Sequence, residues 1–200
     1  MTLLIFDCDG VLVDSEIIAL DMLAKALNDL GLPHSFEDTR ARFMGKSVKD
    51  VLVEIETMLG HSLPPDWGQG MNMVLLNRLR NELLPVEGVK DAIAALPYPR
   101  CVASSSQPER IRLSLDVTGL APLFGDRIFS ATQVDHGKPA PDLFLYAAKT
   151  CGALPAETIV IEDSPAGITA ARRAGMKAIG FAGARHADAR LAEALHSAGA

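Results

Sequence analysis

Leu3-Leu4-Ile5-Phe6-Asp7-Cys8-Asp9-Gly10-Val11-Leu12-Val13-Asp14-Ser15 is the stretch on which the reading of this chain turns. A short apolar run predicts a buried strand that delivers Asp7 to its carboxyl end, the edge where open α/β sheets bind ligands. Asp9 follows two residues on. Two carboxylates so close repel each other unless they share a proton or a cation. Gly10 then lets the backbone turn sharply or approach a ligand closely.

Further chemistry follows downstream in the same pattern. Ser104 ends the run Cys101-Val102-Ala103-Ser104, with Ser105 and Ser106 behind it. Lys138 stands in Gly137-Lys138-Pro139-Ala140-Pro141-Asp142, and Glu162 and Asp163 end Thr158-Ile159-Val160-Ile161-Glu162-Asp163 ahead of Ser164-Pro165-Ala166-Gly167. In a parallel sheet the strand ends converge on one edge. The expectation is one pocket holding Asp7, Asp9, Ser104, Lys138, Glu162 and Asp163.

Beyond residue 85 strands and helices alternate. Short buried strands are expected at 101–106, 127–131, 158–163 and 177–182. Helices are expected at 89–96, 108–117, 142–151 and 165–174, with Pro108 in a first turn, Ser164 as an N-cap and Gly175 as a stop. A last amphipathic helix is expected at 187–198. Residues 15–83 differ. Leu20, Leu23, Ala24, Leu27 and Leu30 recur at helical spacing, as do Val48, Val51, Leu52, Ile55 and Leu59, and then Met71, Val74, Leu75 and Leu79. Gly31 and Gly60 close the first two stripes. The fold class is therefore α/β: a Rossmann-like, doubly wound parallel sheet from residues 1–14 and 84–200, with an all-helical insert at 15–83.

Composition narrows the partners. The 200 residues are 48% apolar and carry a net charge of −6, which argues for a packed core and against nucleic-acid or anionic-membrane binding. An anionic small substrate stays open, because a bound divalent cation can reverse the local field. Cys8, Cys101 and Cys151 form no CxxC or zinc spacing and are expected as small buried residues in a reducing compartment. No run reaches the ~18 apolar residues of a membrane span, and no basic leader precedes the first strand. A cytoplasmic monomer is the expectation.

With these residues assembled, the chain resembles the haloacid dehalogenase-like (HAD) hydrolase superfamily, in the branch of sugar-phosphate phosphatases and β-phosphoglucomutase-like proteins. DCDGVLVDS, VASSS, GKPAPD and IEDSPAG occur in the family's order, and the likeness spans nearly the whole chain. The resemblance implies an α-helical cap inserted after the first strand, an aspartyl-phosphate mechanism and Mg2+. It casts Asp7 as nucleophile and Asp9 as general acid and base. Asp7, the Asp9 carbonyl and Asp163 would hold the cation, with Glu162 as a fourth contact or a brace. Ser104 would bind the phosphoryl group and Lys138 would neutralise it. Gly45, Lys46 and Ser47 of the cap, with Ser105, are candidate substrate contacts; Glu16 and Arg42 are weaker ones. Asp142 is expected to cap its helix or brace Lys138.

The expected substrate is a small phosphate monoester, a sugar or sugar-acid phosphate first and phosphoglycolate next. A phosphosugar mutase is the first alternative, but the mutase's cap histidine, five residues past Asp14, is Ala19 here. Dehalogenase chemistry does not need the acid at Asp9. A receiver-type signalling domain also uses an acidic pocket, a hydroxyl and a lysine, but lacks both Asp9 and a large cap.

Overall fold

Leu3–Phe6 forms β1, buried along its whole length. A strand covered on both faces reads as continuous apolar sequence rather than as alternation, which is why this run is legible. In the structure, a computed structural model that describes residues 2–200, four further strands pair with it in parallel. They are β2 (Arg100–Ser104), β3 (Ile128–Ser130), β4 (Thr158–Glu162) and β5 (Lys177–Gly180). The sheet order is β3-β2-β1-β4-β5. The chain runs outward from β1 to β3 on one side, then returns to place β4 on the other. The order therefore reverses between β1 and β4, and a crevice opens there at the carboxyl ends of the strands.

Chain connectivity follows from local chemistry. α5 (Val89–Ala95) precedes β2, and α6 (Pro108–Val117) and the short α7 (Ala121–Phe124) follow it, both with proline in the first turn. α8 (Asp142–Thr150) leads to β4, and α9 (Pro165–Arg173) leaves it, capped by the Ser164 hydroxyl, which accepts from the Gly167 N–H at 3.0 Å. α10 (Ala189–Ser197) closes the chain. The sheet core joins Leu3, Ile5, Cys101, Ala103, Phe129 and Val160 to Leu143, Phe144 and Ala147 of α8 and to Ala170 and Ala171 of α9. Cys8 and Cys101 are buried as expected; Cys151 is only half-buried, because it falls at the end of α8 rather than within the sheet.

The chain divides into two compact units, Met1–Asp14 with Leu83–Ala200, and Ser15–Glu82. Within the first, Val13 bridges Pro85 and the Val86 N–H donates to the Leu12 carbonyl, so the two chain crossings run side by side. The second unit is all-helical among the described residues: α1 (Ser15–Asp29), α2 (Phe36–Phe43), α3 (Val48–Leu59) and α4 (Trp67–Glu82). Leu27, Phe43 and Ile55 form its centre, each contributing about 1.5–3 kcal/mol of burial. Three details depart from the periodicity. Val48, the first residue of α3, is 74% exposed. Val74 is 48% exposed while its neighbours Leu75 and Leu79 are buried. α2 carries no long apolar stripe; it is fixed by a Ser35–Asp38 capping box and buries only Thr39 and Phe43.

Candidate active site

Asp7 directly follows β1, and its N–H donates to the Ile161 carbonyl of β4, which holds the nucleophile candidate at the switch point of the sheet. Its carboxylate is buried. Lys138 Nζ donates to Asp7 Oδ1 at 2.8 Å, to Glu162 Oε1 at 2.5 Å and to the Ala103 carbonyl at 3.3 Å. The ammonium also lies over the Phe144 ring, 5.0 Å from its centroid. Lysine is seldom buried to 5% side-chain exposure, and here two carboxylates and a carbonyl take its three protons.

Burial pushes the Asp7 carboxyl well above the usual carboxylate range; Lys138 opposes this, while Glu162, Asp163 and Asp9 add to it. Burial by itself would lower Lys138, but Asp7 and then Glu162 outweigh it and hold the ammonium above its ordinary pKa, hence charged. One cation is thus shared between two buried carboxylates. Asp163 is raised as well, first by burial, against the hydrogen bond from His186.

Glu162 is the best-braced acid of the group, 1% exposed. Its Oε1 accepts from Lys138, and its Oε2 accepts from the Ser164 N–H at 2.7 Å and the Ser164 hydroxyl at 2.8 Å. Gly167 makes room for it: a Cβ there would lie 1.9 Å from Glu162 Cδ. Gly10 does the same for Asp163. Its φ is +76°, and a Cβ would stand 1.8 Å from Asp163 Oδ2 and 2.8 Å from His186 Cε1. The glycine of the acidic motif is thus required twice, by the turn and by the carboxylate packed on it.

Asp9 turns to a different set of partners. Arg110 Nη2 of α6 donates to its Oδ1 at 2.7 Å, and the Ser106 hydroxyl donates to its Oδ2 at 2.6 Å. Ser106 is itself held by Ser130, whose hydroxyl donates to the Ser106 carbonyl at 2.7 Å. Ser104 is buried at the end of β2, and its oxygen accepts from the Ser106 N–H at 3.2 Å. Ser105 is exposed. Asp142 starts α8, and its Oδ1 lies 3.2 Å from His136 Nδ1, whereas Lys138 turns to Asp7 and Glu162.

Asp7, Glu162 and Asp163 each offer an oxygen within 4.8 Å of the others. An all-oxygen donor set with excess negative charge suits a hard divalent cation such as Mg2+ rather than zinc. Asp7 and Asp163 fit that duty better than Glu162, both of whose oxygens already have donors.

The remaining candidates belong to the helical unit. Gly45 has φ +77° in open space, Ser47 caps α3 through the Asp50 N–H, and Lys46 is paired with Glu54, which also takes Arg42 Nε at 2.7 Å. Lys46 is therefore a charge already partnered within its own unit. Sequence alone did not single out Arg110 or His186. Arg110 could be found from its place in the first turn of the helix after VASSS; His186 carries no local signal.

At the switch point of the parallel sheet the structure thus gathers an acidic cluster around a buried lysine. The model of the family described as haloacid dehalogenase-like hydrolase matches residues 4–181, and the chain belongs to that family. Within it the chain falls in the branch of sugar-phosphate phosphatases and β-phosphoglucomutase-like proteins, and its class is that of a phosphatase. It is 28% identical over 182 residues to the 6-phosphogluconate phosphatase of Escherichia coli K12, covering 90% of this chain and 82% of that protein. A haloacid dehalogenase-like protein of unknown function from Agrobacterium tumefaciens superposes with a TM-score of 0.90 at 40% identity, over 100% of this chain and 91% of the other. A HAD family hydrolase from Deinococcus radiodurans, solved with phosphate and sodium bound, gives 0.81 at 32% identity, over 100% and 89% of the two chains. Among the described residues no helix is long and apolar enough to cross a membrane.

Proposed function

We propose that this chain is a Mg2+-dependent phosphatase that hydrolyses a small phosphate monoester, a sugar or sugar-acid phosphate, through an aspartyl phosphate on Asp7. The observation that carries the proposal is the buried Asp7–Lys138–Glu162 triad at the sheet switch point, with Asp163 beside it. The phosphatase name of the 28% identical relative supports the substrate class.

Phosphate monoester hydrolysis is among the slowest uncatalysed reactions, since an anion must accept a nucleophile. A carboxylate nucleophile divides it into two easier displacements. Asp7 Oδ2, the oxygen not committed to Lys138, attacks phosphorus. Lys138 opposes the burial that favours protonated Asp7 and offsets charge on the transferring phosphoryl group. Asp9 protonates the leaving alkoxide, then takes a proton from the water that cleaves the acyl phosphate. Ser104 and the N–H groups of its loop hydrogen-bond phosphoryl oxygens. Glu162 keeps the ammonium in place, and Ser164 keeps Glu162 in place.

Asp7, Asp163 and the Asp9 carbonyl would hold the cation, with Glu162 behind them. When bound, Mg2+ supplies charge that lets substrate anion and carboxylate approach each other. Gly45, Lys46, Ser47 and Ser105 belong to the same proposal as substrate contacts. For Lys46 this requires release from Glu54 or a shared contact with it. A cytoplasmic, monomeric protein with residues 15–83 acting as a cap completes the proposal.

The test is phosphate release from a panel of sugar phosphates, sugar-acid phosphates, phosphoglycolate and nucleotides, with Mg2+ or with EDTA. Release from the sugar or sugar-acid esters that disappears in EDTA supports the proposal. Release that persists undiminished in EDTA contradicts the metal requirement, and phosphoryl migration without release favours the mutase alternative.

A further inference from the structure

We propose that His186 is a positioning residue for the cation site: it fixes the Asp163 carboxylate through one of its oxygens, and Asp14 holds the turn that delivers it. This inference rests on the proposal that Asp163 is a cation ligand.

His186 Nε2 lies 3.2 Å from Asp163 Oδ2, and the ring is 4% exposed. The same Asp163 oxygen is pressed against Gly10, and His186 Cε1 sits over Gly10 too. Asp163 is thereby gripped at Oδ2 between the acidic-motif backbone and the imidazole. A carboxylate of this kind has a two-fold choice of oxygen and free rotation about its last bond. A donor fixed on one oxygen removes both freedoms before a cation arrives.

The imidazole comes from far along the chain, and its delivery is built rather than incidental. Residues 184–187 form a turn closed by the Ala187 N–H donating to the Ala184 carbonyl at 3.0 Å, and Ala184 is buried. The Arg185 N–H donates at 2.9 Å to Oδ1 of Asp14, itself only 7% exposed. Asp14 closes the motif that begins with Asp7. One continuous stretch, Asp7 to Asp14, therefore supplies the nucleophile candidate, the glycine that seats Asp163 and the anchor of the turn that carries His186.

The test uses the full chain without substrate, and its probe is Mn2+, read by the loss of free-ion electron paramagnetic resonance signal. His186→Leu keeps volume and apolar packing but removes the donor; His186→Gln returns an N–H at similar reach. Loss of an outer partner of a metal ligand typically weakens affinity about 10- to 100-fold. The expected result is an Mn2+ Kd raised about 10-fold or more in His186→Leu and within about threefold of the natural chain in His186→Gln. A His186→Leu Kd within about twofold of the natural chain overturns the inference, as does equal weakening in both variants.

Should His186→Leu fail to fold, the natural chain decides. The Nε2 resonance of His186, followed by NMR during Mg2+ addition, should move with the same midpoint as cation binding, and a resonance that stays put overturns the inference. If the natural chain binds no Mn2+, the cation site itself is gone and this inference with it. If it binds Mn2+ but releases no phosphate from any ester, the phosphatase proposal fails while His186 is still judged on affinity.

Discussion

Replacing Lys138 by methionine asks the most of the structure, because it keeps the side-chain volume and removes the one cation shared by Asp7 and Glu162. At 2.8 Å from Asp7, and with an effective dielectric of 20, the direct attraction is about 6 kcal/mol before desolvation is set against it. Removing one partner of a buried pair costs about 3–5 kcal/mol net, since the remaining carboxylates stay buried without compensation. Domains of this size are stable by about 5–15 kcal/mol, so Lys138→Met should be folded but marginal. Urea unfolding in EDTA, followed by far-ultraviolet circular dichroism, should show that loss; with a slope of about 2 kcal/mol per molar, the midpoint drops by roughly 2 M.

The pH dependence is as telling as the size. Burial raises Asp7 above its unfolded value, and Lys138 is the main opposing influence. Without Lys138 the native Asp7 pKa rises further, so the native state takes up a proton at a still higher pH, where unfolded Asp7 is ionised. The native state then binds more protons than the unfolded one, so stability falls as pH rises and recovers as pH is lowered through the raised pKa. The deficit of Lys138→Met should therefore shrink on mild acidification. A loss under about 1 kcal/mol, or a deficit that grows on acidification, would refute the shared-cation reasoning.

Two more outcomes follow from the geometry. Asp9→Asn keeps one acceptor oxygen, for Arg110, and puts an amide donor where Ser106 now donates, so the urea midpoint should fall with the lost ion pair while turnover falls roughly 10²-fold or more; an unchanged rate removes Asp9 as acid and base. Gly167→Ala in a solvent-facing helix would gain about 1 kcal/mol from helix propensity. Here the added Cβ meets Glu162 Cδ at 1.9 Å, so the variant should lose stability and activity together, and a stabilised, fully active Gly167→Ala would contradict the packing described.

Three strands were legible as short apolar runs that end in chemistry: Phe6 before Asp7, Ala103 before Ser104, Ile161 before Glu162; β5 was expected to be buried, but as the edge strand it leaves Lys177 and Ile179 exposed. Parallel pairing does the rest, bringing residues 155 apart in sequence to adjacent strand ends. The helical insert was legible through Leu27 and Ile55, but α2 was not, since an eight-residue helix fixed by a capping box has too few apolar residues to show a period. Its signal was Ser35 three residues before Asp38. Val74 misled because a β-branched apolar residue at the right spacing can still face water. Partner choice was the least legible. That Glu162 braces Lys138, that Arg110 and Ser106 hold Asp9, and that Lys46 pairs with Glu54 depend on side-chain reach across turns, which spacing does not encode. His186 is the extreme case, since its place depends on a turn tied to Asp14 from 171 residues away.

The central claim is a covalent phosphoryl group on Asp7. Rapid acid quench during turnover of a responsive phosphate ester, followed by peptide mapping by mass spectrometry, reads it directly. The account predicts a hydroxylamine-labile phosphoryl adduct on the peptide that carries Asp7, absent from Asp7→Asn, which should also release no phosphate. Turnover with no adduct at any quench time, or an Asp7→Asn variant as active as the natural chain, would contradict it.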